Sequence, residues 1–201
     1  MIKNYIFDFG NVLAEFNPEK LVAPYISDEE TKKHISSIVF DRQYWDKLDL
    51  GTITNEEVKT LIKSRVPHEL KEISCTTYDN WINNLTPVRG MQDLVKDIHK
   101  KGKKMYVLSS ISKDFRERAK KVEWIAELFK FFDGMVFSGE INIVKPDAKI
   151  FEYVLETYKL DRKECLFIDD SEINIKGAEK VGIKGYLFDG NAEKLRKYIG
   201  V

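Results

Sequence analysis

The feature that most constrains this chain is an alternation of short apolar runs, several ending in a polar residue, with amphipathic stretches. The runs fall at residues 2–7 (IKNYIF), 104–108 (KMYVL), 134–138 (GMVFS), 165–169 (CLFID) and 184–189 (KGYLFD). Each is strand-length, and several are apolar on consecutive positions, the pattern of a sheet covered on both faces. Between the later runs the apolar period lengthens. In DAKIFEYVLETY, the residues Ile150, Phe151, Val154, Leu155 and Tyr158 share one helical face. MQDLVKDIHKKG groups Leu94, Val95 and Ile98 and places Gly102 as a helix terminator. SEINIKGAEKVG offers Ser171 as a cap and stops at Gly182. Together these predict an α/β fold, a doubly wound parallel sheet with right-handed crossovers.

One segment breaks the alternation. Residues 15–88 hold no convincing strand but several helical stretches, among them DEETKKHISSIVF and TNEEVKTLIKSRV. The spacing predicts an α/β core over 1–14 and 89–201 and an inserted all-helical cap over 15–88. Ligands of open α/β sheets bind at the carboxyl ends of the strands. An insertion that leaves from that end is placed to act as a lid.

Charge excludes some partners. Thirty-three basic and 33 acidic side chains cancel, so no global field points to nucleic acid or an anionic membrane. No apolar run approaches the ~18 residues of a membrane span, and MIKNYIFDFG lacks a signal-peptide layout. Cys75 and Cys165 are isolated, without metal-like spacing, which suits a reducing compartment. The expectation is a cytoplasmic protein. The sequence carries no signal for oligomeric state.

The polar residues at the ends of the runs suggest chemistry. Asp8 follows the first, Ser109 the second, and Asp169 and Asp170 close the fourth; Lys145 lies in INIVKPD, just before a helix. A carboxylate attacking a phosphate meets charge repulsion, and two more carboxylates add to it. At ~4 Å and an effective dielectric near 20, each like-charge pair costs about 4 kcal/mol. Mg²⁺ resolves this conflict, because it takes hard oxygen ligands and bridges carboxylates to phosphate oxygens. Lys145 would neutralise further charge and Ser109 would donate a hydrogen bond. The set fits phosphoryl transfer through an aspartyl-phosphate. A receiver domain groups similar residues, but there the acid pair follows the first strand; here it comes last. The three histidines, at 34, 68 and 99, read as exposed, and Tyr44, Trp45 and Trp81 read as packing residues.

With FDFGNVL, VLSS, VKPDAKIF and LFIDDSEINIKGA in this order, the chain resembles the haloacid dehalogenase-like (HAD) hydrolase superfamily, subfamily I, over nearly its whole length. KLDLGTITNEEV resembles the branch that includes sugar-1-phosphate phosphatases. The resemblance implies a Mg²⁺-dependent phosphomonoester hydrolase acting on a small phosphorylated metabolite. It implies Asp8 as nucleophile and ligand, the Gly10 carbonyl and Asp170 as metal ligands, and Asp169 as support for the metal shell. Ser109, Ser110 and Lys145 would bind phosphate, with Ser110 standing where many relatives carry asparagine.

Gly10 departs from the family's usual D-x-D. The second aspartate there offers a backbone carbonyl to the metal and a side-chain proton to the leaving group; Gly10 can do only the first. General acid catalysis is worth ~10²–10⁴-fold, and Asn11 has no proton to give at neutral pH. Either the leaving group needs little protonation, or an acid comes from the cap or from solvent. Otherwise the chain is a phospholigand-binding regulator. A metal-free haloacid dehalogenase also lacks the second aspartate, but it would hold the Asp169–Asp170 repulsion uncompensated. Restoring Gly10→Asp is expected to raise turnover on poor leaving groups more than on good ones.

Overall fold

The computed structural model describes residues 1–201. The chain begins with β1 (Asn4–Phe7) and a tight loop to the two-residue β2 (Ala14–Glu15). Five helices follow: α1 (Pro18–Val22), α2 (Glu29–Val39), α3 (Arg42–Asp49), α4 (Asn55–Arg65) and α5 (Lys71–Asn80). The chain returns through β3 (Thr86–Pro87), α6 (Met91–Lys100), β4 (Lys104–Ser109), α7 (Phe115–Ala119), α8 (Glu123–Phe129) and β5 (Gly134–Phe137). It ends with α9 (Ser138–Ile141), α10 (Ala148–Thr157), β6 (Cys165–Asp169), α11 (Glu172–Lys180), β7 (Lys184–Leu187) and α12 (Ala192–Ile199).

The five longer strands form one parallel sheet in the order β5-β4-β1-β6-β7. Successive residues of β1 point to opposite faces, so Tyr5 and Phe7 join one apolar cluster and Ile6 joins another. The chain passes from β1 to β4 on one side and later to β6 on the other. That reversal beside β1 opens a crevice at the strands' carboxyl ends.

Two local readings change. Residues 15–88 are not wholly without strand: Ala14 pairs with Pro87 and Glu15 with Thr86, antiparallel. A ribbon this short leaves no alternating pattern in sequence, yet it brings the two ends of the helical insertion side by side. Ser171 occupies the cap position of α11, but its side chain makes no capping bond; its backbone N–H instead donates to Asp169 Oδ1 at 2.8 Å. Gly102 and Gly182, with φ of 68° and 83°, end α6 and α11 as expected.

The insertion has no apolar core of its own. Trp45, Val58, Ile62 and Tyr78 belong to the same buried cluster as Phe7 and Phe115. Trp81 stacks on Phe115, with ring centroids 6.2 Å apart and planes 22° apart. Polar bonds cross the same boundary. Asn55 at the start of α4 donates to Asp114 Oδ2 at 3.0 Å and accepts from the Tyr78 hydroxyl at 2.7 Å.

Candidate active site

Parallel pairing brings the chemistry-bearing residues together at one edge. The Asp8 N–H continues the ladder beyond β1 by donating to the Ile168 carbonyl at 2.9 Å. This sets Asp8 beside Asp169, the last residue of β6. Lys145 reaches both from the loop before α10: its Nζ lies 2.7 Å from Asp8 Oδ1 and 2.7 Å from Asp169 Oδ2. Asp8 Oδ1 is buried, with the Lys145 ammonium as its charge partner.

Asp169 is fully buried and its oxygens are occupied. Beyond Lys145 and the Ser171 N–H, the Asn174 amide donates to both of them, at 3.1 and 3.2 Å. Asp170 is exposed to the crevice and accepts from Asn11 Nδ2 at 3.1 Å. Asn11 adopts a left-handed conformation (φ 55°), and its Oδ1 accepts from the Phe16 N–H at 3.0 Å. Ligand oxygens of Asp8, Asp169 and Asp170 lie within 4.8 Å of one another.

Asp8, Gly10, Ser109, Ser110, Lys145 and Asp170 all line one cavity of about 590 Å³; Asp169 lies behind its wall. The Gly10 carbonyl accepts no backbone hydrogen bond. A Cβ at Gly10 would meet nothing within 4 Å, so the missing carboxylate is not a steric requirement. Ser109 is buried at the end of β4 and its hydroxyl makes no hydrogen bond within the protein. Ser110 Oγ accepts from the Lys145 N–H at 3.1 Å, which leaves its own proton to donate. The insertion supplies the opposite wall with Phe16, Trp45, Leu50 and Trp81. Trp45 and Trp81 therefore both pack and face the cavity, beyond the packing role read from sequence.

Two carboxylates share one ammonium, and a third lies near them. Burial pushes the Asp8 carboxyl up to about 6; Lys145 opposes this and Asp169 adds to it. Burial alone would lower Lys145, but Asp8 and Asp169 outweigh it and hold the ammonium above its ordinary value. Asp170 is raised by desolvation against the walls, with the Asn11 hydrogen bond opposing. A cluster of hard oxygens with excess negative charge and a free Gly10 carbonyl fit a divalent cation such as Mg²⁺.

Three residues of the site escape a reading by motif ends. Asn11 and Asn174 bond the acids Asp170 and Asp169, and each lies inside a run already noticed, FDFGN and SEIN. Asp49 closes α3 and lines the cavity, only 5 % exposed. Burial pushes its carboxyl up to about 7. In sequence it is one more acid in YWDKLDLG.

An open parallel α/β sheet with an acid cluster at its carboxyl edge defines a class, and sequence comparison gives the family. The model of haloacid dehalogenase-like hydrolases matches residues 2–182, and the chain belongs to that family. It is 27 % identical to the sesquiterpene phosphatase astK of Aspergillus oryzae, over 98 % of this chain and 97 % of that one. It is 24 % identical to the D-ribitol-5-phosphate phosphatase of Bacteroides thetaiotaomicron, over 96 % and 95 %. A HAD family enzyme from Bacteroides thetaiotaomicron, crystallised as a magnesium complex, superposes with a TM-score of 0.72 at 26 % identity, covering 98 % of each chain.

Proposed function

We propose that this protein is a Mg²⁺-dependent phosphomonoester hydrolase that acts through an aspartyl-phosphate on a small organic phosphate. The observation that carries the reading is the buried Asp8–Lys145–Asp169 cluster with Asp170 facing the same cavity. Asp8, the Gly10 carbonyl and Asp170 would hold the cation, with Asp169 behind them. The cation supplies charge neutralisation for the carboxylates and the phosphoryl oxygens.

An Asp8 oxygen attacks phosphorus and the bond to the leaving oxygen breaks; that oxygen takes a proton from an acid of the cavity or from solvent, giving an alcohol and the acyl phosphate. Water then attacks the same phosphorus, releasing inorganic phosphate and returning the carboxylate. Lys145 balances charge throughout, and Ser109 and Ser110 donate to phosphoryl oxygens. The helical insertion acts as a cap, covering the reacting group and resting the organic part of the substrate against its aromatic wall.

Phosphate release tests this, with D-ribitol 5-phosphate, a sugar 1-phosphate, a sesquiterpenyl monophosphate and 4-nitrophenyl phosphate as the panel. Release is expected to need Mg²⁺, to stop with chelator, and to fall ~10³-fold or more in Asp8→Asn. Protein that binds Mg²⁺ yet releases phosphate from none of these would be a phospholigand-binding regulator. Chloride release from 2-chloropropionate without Mg²⁺ would make it a dehalogenase.

A further inference from the structure

Gly10 leaves the leaving group without the usual acid, and of the sources open to it, an acid from the helical insertion is the one for which the cavity offers a residue. We propose that Asp49, at the end of α3 in the helical insertion, is the general acid and base of this site. The inference rests on the hydrolase reading above.

Four observations converge on Asp49. It lines the same cavity as Asp8, from the wall that the insertion supplies. Its side chain is almost fully buried and has no hydrogen-bond or ion-pair partner, unlike Asp8, Asp169 and Asp170. It is the last residue of α3, where the negative end of the helix dipole disfavours a carboxylate. Finally, its position is anchored to the core. The Ser138 hydroxyl donates to the Asp49 carbonyl, and Asn142 Nδ2 donates to the Leu50 carbonyl at 2.8 Å. Gly51 (φ 74°) permits this docking, since a Cβ there would lie 2.6 Å from the Gly139 carbonyl oxygen.

Burial is the main cause that pushes the Asp49 carboxyl up to about 7, so both its protonated and its ionised forms are present near neutral pH. Arg42 opposes that shift, Asp46 and Asp8 add to it, and Lys145 opposes it weakly. In the first step the Asp49 proton passes to the leaving oxygen as the P–O bond breaks, giving neutral alcohol and an Asp49 carboxylate. In the second, that carboxylate takes a proton from the attacking water, which restores the acid as phosphate leaves. A carboxyl tuned near the working pH suits both roles.

The experiment compares Asp49→Asn and Asp49→Glu with wild type on benzyl phosphate, whose alkoxide leaves poorly, and 4-nitrophenyl phosphate, whose phenolate leaves well. Asp49→Asn is expected to lose ~10²–10⁴-fold in kcat/KM on the first and less than ~10-fold on the second. Asp49→Glu should recover part of the loss. The alkaline limb of the wild-type benzyl phosphate profile, where the acid loses its proton, should disappear in Asp49→Asn. Orthovanadate binding and thermal unfolding confirm that the variants are folded, and ¹³C NMR of labelled aspartate reports protonation without turnover. Equal losses on both esters, no loss on either, or a carboxyl already ionised at pH 5 would overturn the assignment. Where Asp8→Asn abolishes release but Asp49→Asn shows no leaving-group dependence, only the Asp49 assignment fails. Wild type inactive on every ester overturns both readings.

Discussion

Asp169 and Asp49 are both aspartates at the end of a regular element, 0 % and 5 % exposed, and the two regions of the molecule treat them in opposite ways. At the sheet edge, Asp169 receives Lys145, the Ser171 N–H and both Asn174 contacts. In the helical insertion, the Asp49 side chain receives no hydrogen bond and its carboxyl is pushed up to about 7. Both carboxyls are desolvated; compensation separates them. The core surrounds one carboxyl with donors, while the insertion gives the other carboxyl none. A carboxyl raised toward neutrality by its surroundings is what acid–base chemistry at such a site uses.

The contrast can be broken from either side. The largest effect is expected from Lys145→Met, which leaves the Asp8 and Asp169 carboxylates facing each other without a cation. Removing one partner of a buried ion pair costs ~3–5 kcal/mol, so urea unfolding of the metal-free variant should show a loss of that size, with phosphate release gone. Mg²⁺ should restore part of the stability, and a loss below ~1 kcal/mol would mean the pair is not compensated as drawn.

Asp49→Asn should act in the other direction on stability. The wild-type carboxyl has an ordinary value near 3.9 when unfolded and about 7 when folded. The folded state thus binds the proton more tightly, so stability falls as pH rises from about 4 to 7, and the full cost is present above that. An amide cannot ionise. Asp49→Asn is therefore expected to be more stable than wild type at pH 8, by an amount on the order of 2–4 kcal/mol, and to lose that advantage toward pH 4. Thermal unfolding across this range measures it, and a pH-independent difference would show that Asp49 is not strained in its charged form.

Gly51→Ala tests the anchor rather than the acid. With φ at 74° and the Gly139 carbonyl oxygen 2.6 Å from an added Cβ, the loop must shift, at a cost of ~1–3 kcal/mol. Turnover of benzyl phosphate should fall more than that of 4-nitrophenyl phosphate, because Asp49 is displaced while Asp8 is not. The smallest effect belongs to Gly10→Asp, where the added Cβ meets nothing. With Asp49 present, a second acid should change benzyl phosphate turnover by less than ~10-fold; in the Asp49→Asn background it should rescue a larger share. No rescue there would show that the two positions address different oxygens.

Much of the core was legible in the chain. Asp8, Ser109, Asp169 and Asp170 stand at the ends of apolar runs, and in a parallel sheet run ends gather at one edge. Lys145 was legible from the turn before a helix. Asn11 and Asn174 lie inside the same motifs, but their roles depend on where their amides point. The two-residue ribbon and the shared apolar cluster of core and insertion left no periodic trace, since each depends on which distant faces meet.

Asp49 marks the limit most clearly. Alternation of apolar runs and helical faces determined the parallel sheet, its carboxyl edge and the acids there, because backbone pairing forces those residues together whatever the loops do. Nothing local to Asp49 distinguishes it from Asp46, one turn earlier and exposed at the helix surface. Its position is fixed where α3 meets the 138–142 segment, about 90 residues away, through the bonds of Ser138 and Asn142 to the Asp49 and Leu50 carbonyls. A carboxyl's proton affinity is set by what surrounds it in space, and for Asp49 only the tertiary fold supplies those surroundings.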